Sequence, residues 1–93
     1  MIVSFKGKAV QAVAGGKAPK GFQPDLVARA ERRLRAIANA VELNDLRSPP
    51  GNHLEALKGS RTGQHSIRIN DQWRICFRWT DAGAEDVEII DYH

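Results

Sequence analysis

The segment Trp73-Arg74-Ile75-Cys76-Phe77-Arg78-Trp79 decides the fold, because large apolar side chains occupy every second position. Arg74, Cys76 and Arg78 occupy the positions between them. Successive side chains of a β-strand point to opposite faces of a sheet, so this alternation predicts a strand with one apolar face and one largely basic face. We expect helices to cover the apolar face and leave the arginines on the other.

Two further strands are predicted on either side of this segment. Residues 64–70 alternate Ile67 and Ile69 with polar side chains, and residues 85–92 contain Val87 and two isoleucines. Residues 70–71 and 80–83 have the composition of turns, and Gly83 stands where a hairpin loop requires a positive φ. The three strands are therefore predicted to form an antiparallel meander.

The N-terminal half of the sequence predicts helices. We expect a short strand at residues 2–5, a short helix at 6–14 and a flexible glycine-rich loop at 15–21. Pro24 suits the first position of the longest helix. The apolar stripe of that helix consists of Val27, Ala30, Leu34, Ile37 and Val41.

Residues 44–52 contain two prolines and are predicted to be a stiff linker. Helices followed by a meander predict one α+β domain over residues 1–93, with the N-terminal helices packed on one face of a small antiparallel sheet.

Composition limits the classes of function. Lys and Arg number 14 against 11 Asp and Glu, and the resulting net charge of +3 suits an anionic partner only mildly. The one cysteine, Cys76, excludes an intramolecular disulfide and a multi-cysteine zinc site, and we expect it to be a small buried hydrophobe. His53, His65 and His93 lack metal-ligand spacing, so no metal is predicted.

The sequence contains no segment that predicts membrane insertion or export. No apolar run approaches the roughly 20 residues of a membrane span, and the first residues lack the build of a signal peptide. We therefore expect a reducing, cytoplasmic location, most simply in a bacterium, and no membrane partner.

The polar face of the predicted sheet contains the candidate site. The loop at residues 58–63 and the last strand are expected to meet there, and Arg68 is expected to join from the neighbouring strand. The candidate residues are Lys58, Arg61, Arg68, Arg74, Arg78, Tyr92 and His93. Guanidinium groups match phosphate oxygens, fixed cations stabilise the charge of a phosphoryl transition state, and histidine can transfer protons. This set suits cleavage of RNA, whose 2′-OH is an internal nucleophile.

Structural roles for the same cations remain open at this point. Glu85, Asp86, Glu88 and Asp91 of the last strand could neutralise Arg74 and Arg78 directly. A second group of arginines lies off the apolar stripe of the long helix, either as a solvated face or as a partner-binding face: Arg29, Arg32, Arg33 and Arg35.

The sequence resembles a known family from end to end. The stretch from Leu54 to Phe77 (LEALKGSRTGQHSIRINDQWRICF), the start MIVSFK and the end VEIIDYH are similar to those of HigB-type toxins in the RelE/ParE superfamily of toxin–antitoxin modules. The resemblance implies a compact RelE-like fold and a ribosome-dependent mRNA endonuclease that inhibits translation, requires no metal or other cofactor and uses the 2′-OH as nucleophile.

The resemblance also implies roles for individual residues. Lys58 matches the loop lysine, a cation for the transition state; Arg74 matches a phosphate clamp; and His93 matches a general acid or base. Asp91 and Tyr92 complete the terminal motif and orient His93 or the substrate. Some relatives have a histidine where this sequence has Glu55, so Glu55 is a candidate base, while Arg61, Arg68 and Arg78 are candidate RNA contacts.

The partners implied by the resemblance are a helix-turn-helix antitoxin of the HigA type, the ribosomal A site and messenger RNA. Operator DNA is implied only through the toxin–antitoxin complex. Two alternatives stay open: a non-catalytic binding module, and a ParE-like toxin that inhibits DNA gyrase. The loop lysine and the histidine favour the ribonuclease, because inhibition of gyrase requires no proton donor.

Overall fold

A four-stranded antiparallel sheet with the order β1-β2-β3-β4 is the central element of the computed structural model, which describes residues 1–91. The strands are β1 (Glu55–Ala56), β2 (His65–Arg68), β3 (Trp73–Thr80) and β4 (Gly83–Asp91). Two helices precede them, α1 (Lys8–Ala14) and α2 (Pro24–Asn39). The predicted α+β architecture is confirmed.

One apolar core forms between the two helices and one face of the sheet. Ile75 and Phe77 of β3 are fully buried, and Trp73 packs on Phe22 with ring centroids 4.7 Å apart. Each helix turns one apolar side toward this core, because residues three and four apart in sequence lie on the same side of a helix. Their buried side chains are Val10 and Val13 of α1 and Val27, Ala30, Leu34 and Ile37 of α2.

The register of the strands places polar residues of three elements on the second face of the sheet. Arg74 lies opposite Ile90 on one side and Arg68 on the other, and Ser66 lies between Cys76 and Glu55. Directly opposed residues share a face. The face turned away from the helices therefore carries Arg74, Arg68, Ser66 and Glu55. Asp91 lies opposite Trp73, on the face toward the helices.

Residues 2–5 make two isolated parallel bridges to β4, Ile2 to Ala84 and Phe5 to Val87, instead of the predicted short strand of their own. The backbone N–H of Ala84 donates to the carbonyl of Met1 over 2.9 Å. Gly83 permits this approach because its φ is +130° and a Cβ at that position would collide with the carbonyl of Met1.

Two predictions in the middle of the chain are wrong. Residues 44–52 are not a bare linker: they form two 3₁₀ turns, Leu43–Arg47 and Pro50–Asn52, that bury Leu46 and Asn52. Proline stiffening was visible in the sequence, whereas the packing of Leu46 into the core was not. Val41 does not belong to the apolar stripe, because α2 ends at Asn39 and Val41 is 86% exposed.

Boundaries of the predicted strands also shift. β2 is shorter than residues 64–70, and β4 begins at Gly83, two residues before the predicted start. The predicted last strand includes Tyr92, which lies outside the described residues. β1 was not predicted, since two residues contain no period that could be read from sequence.

Two arginines of α2 fasten the helix to the end of β2. Arg33 Nε donates to the carbonyl of Arg68 over 2.9 Å, and Arg29 Nη1 donates to the carbonyl of Ile69 over 3.5 Å. Burial lowers the pKa of Arg33, and the neighbouring charges of Arg29 and Arg32 lower it further. Arg33 therefore has a structural role that the solvated-face interpretation did not include.

We expect the free energy of unfolding to decrease as the pH falls below about 6.5, the ordinary pKa of histidine. Burial lowers the pKa of His65, and the Arg47 guanidinium adds to the shift. Below 6.5 the unfolded chain therefore binds a proton that the folded protein resists, whereas the stability is fully present at higher pH. Urea unfolding between pH 5 and 8 measures this slope.

The matched variants for that measurement are His65→Gln and His53→Asn. His53 is exposed and has a φ of +46°, which asparagine tolerates. The His65 variant should show a weaker dependence of stability on pH, while His53→Asn should retain it. An unchanged slope in His65→Gln would show that another group is responsible.

Candidate functional site

A pocket of about 490 Å³ opens on the polar face of the sheet. β1 and the residues after it supply Glu55, Ala56, Leu57 and Lys58, the following loop supplies Arg61, and β4 supplies Ile90. Two predicted cations and the candidate base thus share one cavity. Ile90 is the residue of β4 that lines this pocket, whereas its neighbour Asp91 lies opposite Trp73.

A closed loop presents Lys58 to the pocket. Lys58 precedes a 3₁₀ turn, Gly59–Arg61, and its carbonyl accepts from the N–H of Arg61 over 3.3 Å. The loop is tied at its base by the N–H of Leu57, which donates to the carbonyl of Gln64 over 2.9 Å. The backbone around Lys58 is therefore ordered, while its side chain is exposed to solvent.

Arg61 anchors this loop to β4. Its Nη1 donates to Glu88 Oε1 over 2.9 Å and to Gln64 Oε1 over 3.1 Å. The hydrogen bond with Glu88 raises the pKa of Arg61, while partial burial opposes the shift. Arg61 lies in the predicted place but has a protein partner, so it fixes the position of Lys58 relative to the last strand.

Arg74 is only 6% exposed and does not line the pocket. Its Nε donates to Ser66 Oγ over 2.8 Å, and its Nη2 donates to the carbonyl of His53 over 2.6 Å. Nη2 also forms an ion pair with Glu55 Oε1 at 3.3 Å. Arg74 therefore lies next to the pocket without lining it, and its ion-pair partner Glu55 is one of the residues that line the pocket.

Carboxylates of two strands form ion pairs with arginines at this site. Glu55 of β1 pairs with Arg74, and Glu88 of β4 pairs with Arg61. β1 brings Glu55 opposite Ser66, next to Arg74 in the register. The side chain of Glu55 is 49% exposed, so it faces both the buried guanidinium and the open pocket.

The remaining predicted RNA contacts lie around this centre. Arg68 forms an ion pair with the exposed Asp71. Arg78 is exposed beyond a bulge in the β3–β4 ladder, and its guanidinium lies against Gly63, where a Cβ would approach Nη1 to 2.7 Å. Neither residue lines the pocket.

The final motif is described only at its first residue. Asp91 lies opposite Trp73, and its Oδ2 accepts from Gln72 Nε2 over 3.1 Å. The predicted roles of Tyr92 and His93 fall on positions outside the described residues. Their role in the site stays a prediction.

Cys76 is not part of the chemistry of this face. It is fully buried, and desolvation raises the pKa of its thiol to about 11. The nucleophilic form of cysteine is the thiolate, so Cys76 is inert near neutral pH. The prediction of a small buried hydrophobe is confirmed.

Sequence reasoning missed three groups that hold the site: Ser66, the carbonyl of His53, and Gln64. A serine in an alternating strand predicts an exposed polar residue, and a backbone carbonyl carries no sequence signal. Gln64 is close to Arg61 in sequence and was a recognisable partner. The pairing of Ser66 with Arg74 becomes visible only through the register of β2 and β3.

The described part of the chain contains neither a cluster of metal-binding side chains nor a membrane-spanning helix. Across residues 1–91, no three side chains of histidine, cysteine, aspartate or glutamate come together in a way that suits a metal ion. Neither helix of that range has both the length and the apolar character needed to cross a bilayer.

Comparison with known proteins places the whole chain beside one family. Residues 4–93 match the family model described as "RelE-like toxin of type II toxin-antitoxin system HigB". Over 93 residues and the full length of both proteins, the chain is 34% identical to "Endoribonuclease HigB" of Proteus vulgaris. It is also 45% identical over 53 residues to "Toxin HigB-1" of Vibrio cholerae, a match that spans 57% of this chain and 56% of that toxin.

Proposed function

Because the chain belongs to the HigB-like family of RelE-like toxins from type II toxin–antitoxin systems, we propose that it is an endoribonuclease. We propose further that it cleaves messenger RNA in the A site of the ribosome and thereby inhibits translation. The relative from Proteus vulgaris, which is aligned over its full length, carries the name of an endoribonuclease. The observation that carries the proposal is the pocket in which Glu55 and Lys58 meet beside Ile90.

The proposed reaction requires no group beyond the side chains and the RNA. The 2′ oxygen attacks the adjacent phosphorus, the new O2′–P bond forms, and the P–O5′ bond breaks. A base takes the proton of the 2′-OH and an acid gives a proton to the 5′ oxygen. The products are a 2′,3′-cyclic phosphate and a 5′-OH end.

Each residue has a place in this scheme. Lys58, exposed at the pocket, stabilises the negative charge that grows on the phosphate oxygens in the transition state. Glu55, held at the same pocket by Arg74, is the proposed base. His93 is the proposed acid, with Asp91 and Tyr92 beside it in the sequence. Arg74 contributes a fixed positive charge behind Glu55, in place of the direct phosphate clamp predicted from sequence.

The exposed cations extend the RNA-binding surface. Arg78 and the Arg68–Asp71 pair flank the site on the same face of the sheet. Contacts of such cations with phosphates release counterions, so many weak contacts add up to substantial affinity. The proposed partners are the ribosome and message, and an antitoxin of the HigA type that silences the protein; the proposed location is the bacterial cytoplasm, where translating ribosomes are.

Sequencing of RNA ends after induction tests the function. The proposal predicts new ends inside translated reading frames within minutes, and none in messages whose start codon has been removed. A toxin that inhibits gyrase, or a module that only binds, would leave messages intact. Arrest of replication with intact messages would contradict the proposal.

We expect two adjacent arginines of α2 to respond differently to charge reversal. Arg32 is exposed, whereas Arg33 donates to the carbonyl of Arg68. Arg32→Glu should weaken binding to ribosomes with little change in unfolding free energy, within about 0.5 kcal/mol. Arg33→Glu should also destabilise the fold, because the carbonyl loses its donor.

Ribosome co-sedimentation and urea unfolding separate the two effects. Alanine at position 28, which is already small and exposed on α2, provides the control site: Ala28→Gln changes the surface without changing charge. If Arg32→Glu binds ribosomes as tightly as the control, α2 is not part of the docking surface. Equal stability of Arg33→Glu and Arg32→Glu would contradict the structural role of Arg33.

A further inference from the structure

Ser66 is a fully buried serine in the centre of the polar face. It lies on β2 opposite both Cys76 and Glu55, so three strands close around it. A buried hydroxyl without a hydrogen bond is costly. The hydroxyl oxygen of Ser66 avoids this cost because it accepts a hydrogen bond from Arg74 Nε over 2.8 Å.

Arg74 is held on more than one side. The carbonyl of His53 accepts from Nη2 over 2.6 Å, and the carbonyl of Ser66 lies 3.4 Å from the same nitrogen. His53 follows the turn Pro50–Asn52, and buried Asn52 fixes this turn by donating to the carbonyls of Leu46 and Ser48. Ser66 and the carbonyl of His53, two of the partners of the guanidinium, are therefore held in place by the surrounding backbone.

A fixed guanidinium is valuable when a charge develops nearby. Electrostatic stabilisation of a transition state is most effective when the cation needs no reorganisation during the reaction. Arginine is also the side chain whose planar fork can use several acceptors at once, which lysine cannot reproduce. Arg74 forms an ion pair with Glu55, and Glu55 lines the same pocket as Lys58. The orientation of Arg74 therefore affects the position of the Glu55 carboxylate in that pocket.

We infer that Ser66 is a positioning residue, which orients Arg74 and through it Glu55 for RNA cleavage. This inference rests on the proposed function. Ser66 itself lies behind Arg74 and away from the pocket, so it acts through another side chain. Its hydroxyl oxygen is the group that matters, because it receives the Nε–H of Arg74.

The first test compares Ser66→Ala with Ser66→Thr and with Thr80→Val. The alanine variant removes the oxygen, and the threonine variant keeps it. Thr80→Val removes a hydroxyl that donates to the carbonyl of Gly83 over 2.9 Å at the far end of β3. We expect Ser66→Ala to slow single-turnover cleavage of a message on saturating ribosomes by about 10-fold, with the ribosome concentration for half-maximal rate unchanged.

Ser66→Thr should recover most of that rate, and Thr80→Val should retain the full rate. Urea unfolding gives the fraction of folded protein, to which each rate is normalised. A Ser66→Ala rate equal to that of the wild type overturns the inference. A rise in half-maximal ribosome concentration with an unchanged saturating rate also overturns it, because that result would assign Ser66 to binding.

The second test combines Ser66→Ala with Arg74→Lys, which removes the Nε donor. If Ser66 acts through Arg74, the double variant should cleave no more slowly than Arg74→Lys alone. A further 10-fold loss in the double variant would mean that Ser66 acts independently of Arg74 and would overturn the inference.

The same variants separate this inference from the proposed function. If Arg74→Lys cleaves like the wild type, the orientation of the guanidinium by Ser66 is not needed and the inference fails, while the positive charge given to position 74 in the proposed function stands. If Arg74→Lys is slow and Ser66→Ala is not, only the positioning role of Ser66 fails.

Discussion

Replacement of Lys58 by methionine should slow cleavage of ribosome-bound message by about 10²- to 10³-fold. Methionine has nearly the length of lysine but no charge, so the variant removes the cation from the pocket and leaves its shape. The loss should appear in the rate at saturating ribosomes. Lys58 interacts more strongly with the transition state, in which the phosphate oxygens gain negative charge, than with the bound message before reaction. Quench-flow measurement of cut message gives this rate.

The matched control is Lys20→Met, which removes a lysine from the exposed loop before α2. Both variants should unfold at nearly the wild-type urea concentration, because exposed substitutions rarely change stability by more than about 0.5 kcal/mol. Full activity of Lys58→Met would remove Lys58 from the mechanism. Equal losses in both variants would indicate a general effect of net charge.

Replacement of Glu55 by glutamine should slow cleavage by about 10²-fold or more, the range typical of a lost general base. Glutamine keeps an oxygen that can accept from Arg74 Nη2, so the frame around the guanidinium is preserved. The amide cannot take the proton of the 2′-OH. The defect should therefore lie in the rate constant, and ribosome binding should be unchanged.

Two further variants bracket this prediction. Glu55→His places another proton acceptor at the same position and should cleave faster than Glu55→Gln. Glu31→Gln removes a carboxylate from α2, outside the proposed site, and should cleave at the wild-type rate. If Glu55→Gln equals Glu31→Gln in rate, Glu55 is not the base.

The alternating strand around Ile75 made much of this fold readable in advance. A period of two over seven residues specifies which side chains face the helices, and both Ile75 and Phe77 are buried as predicted. The apolar stripe of α2 was equally clear up to Ile37. It was extended too far at Val41 because the stripe continues in sequence after the helix has ended.

Long-range pairing was not readable from local pattern. The bridges of residues 2–5 to β4 join the first residues of the chain to its last strand. The N–H of Asp86 also donates to Ser4 Oγ, 82 residues away, and no local sequence pattern specifies so distant a partner. β1 is equally hidden, although it delivers Glu55 to the site. Three of the residues that line the pocket, Glu55, Lys58 and Arg61, could be singled out from the sequence, while the strand pairing that positions them could not.

The burial of Arg74 shows the same limit. An arginine in an alternating strand is normally exposed, yet Arg74 is buried, and Ser66, the carbonyl of His53 and Glu55 all supply acceptors for its guanidinium. None of these partners is near Arg74 in sequence. Pairing of Arg61 with Glu88 was likewise missed, because a loop arginine can reach several carboxylates and only the folded register selects one.

The most direct measurement of the mechanism uses a message with one 2′-deoxyribose at the nucleotide whose linkage is normally cut. The deoxy message should still bind in the ribosome, but the wild-type protein should not cut that linkage, because the attacking 2′ oxygen is absent. The unmodified message should give a 2′,3′-cyclic phosphate and a 5′-OH end. Cleavage of the deoxy linkage at the normal rate would contradict the account.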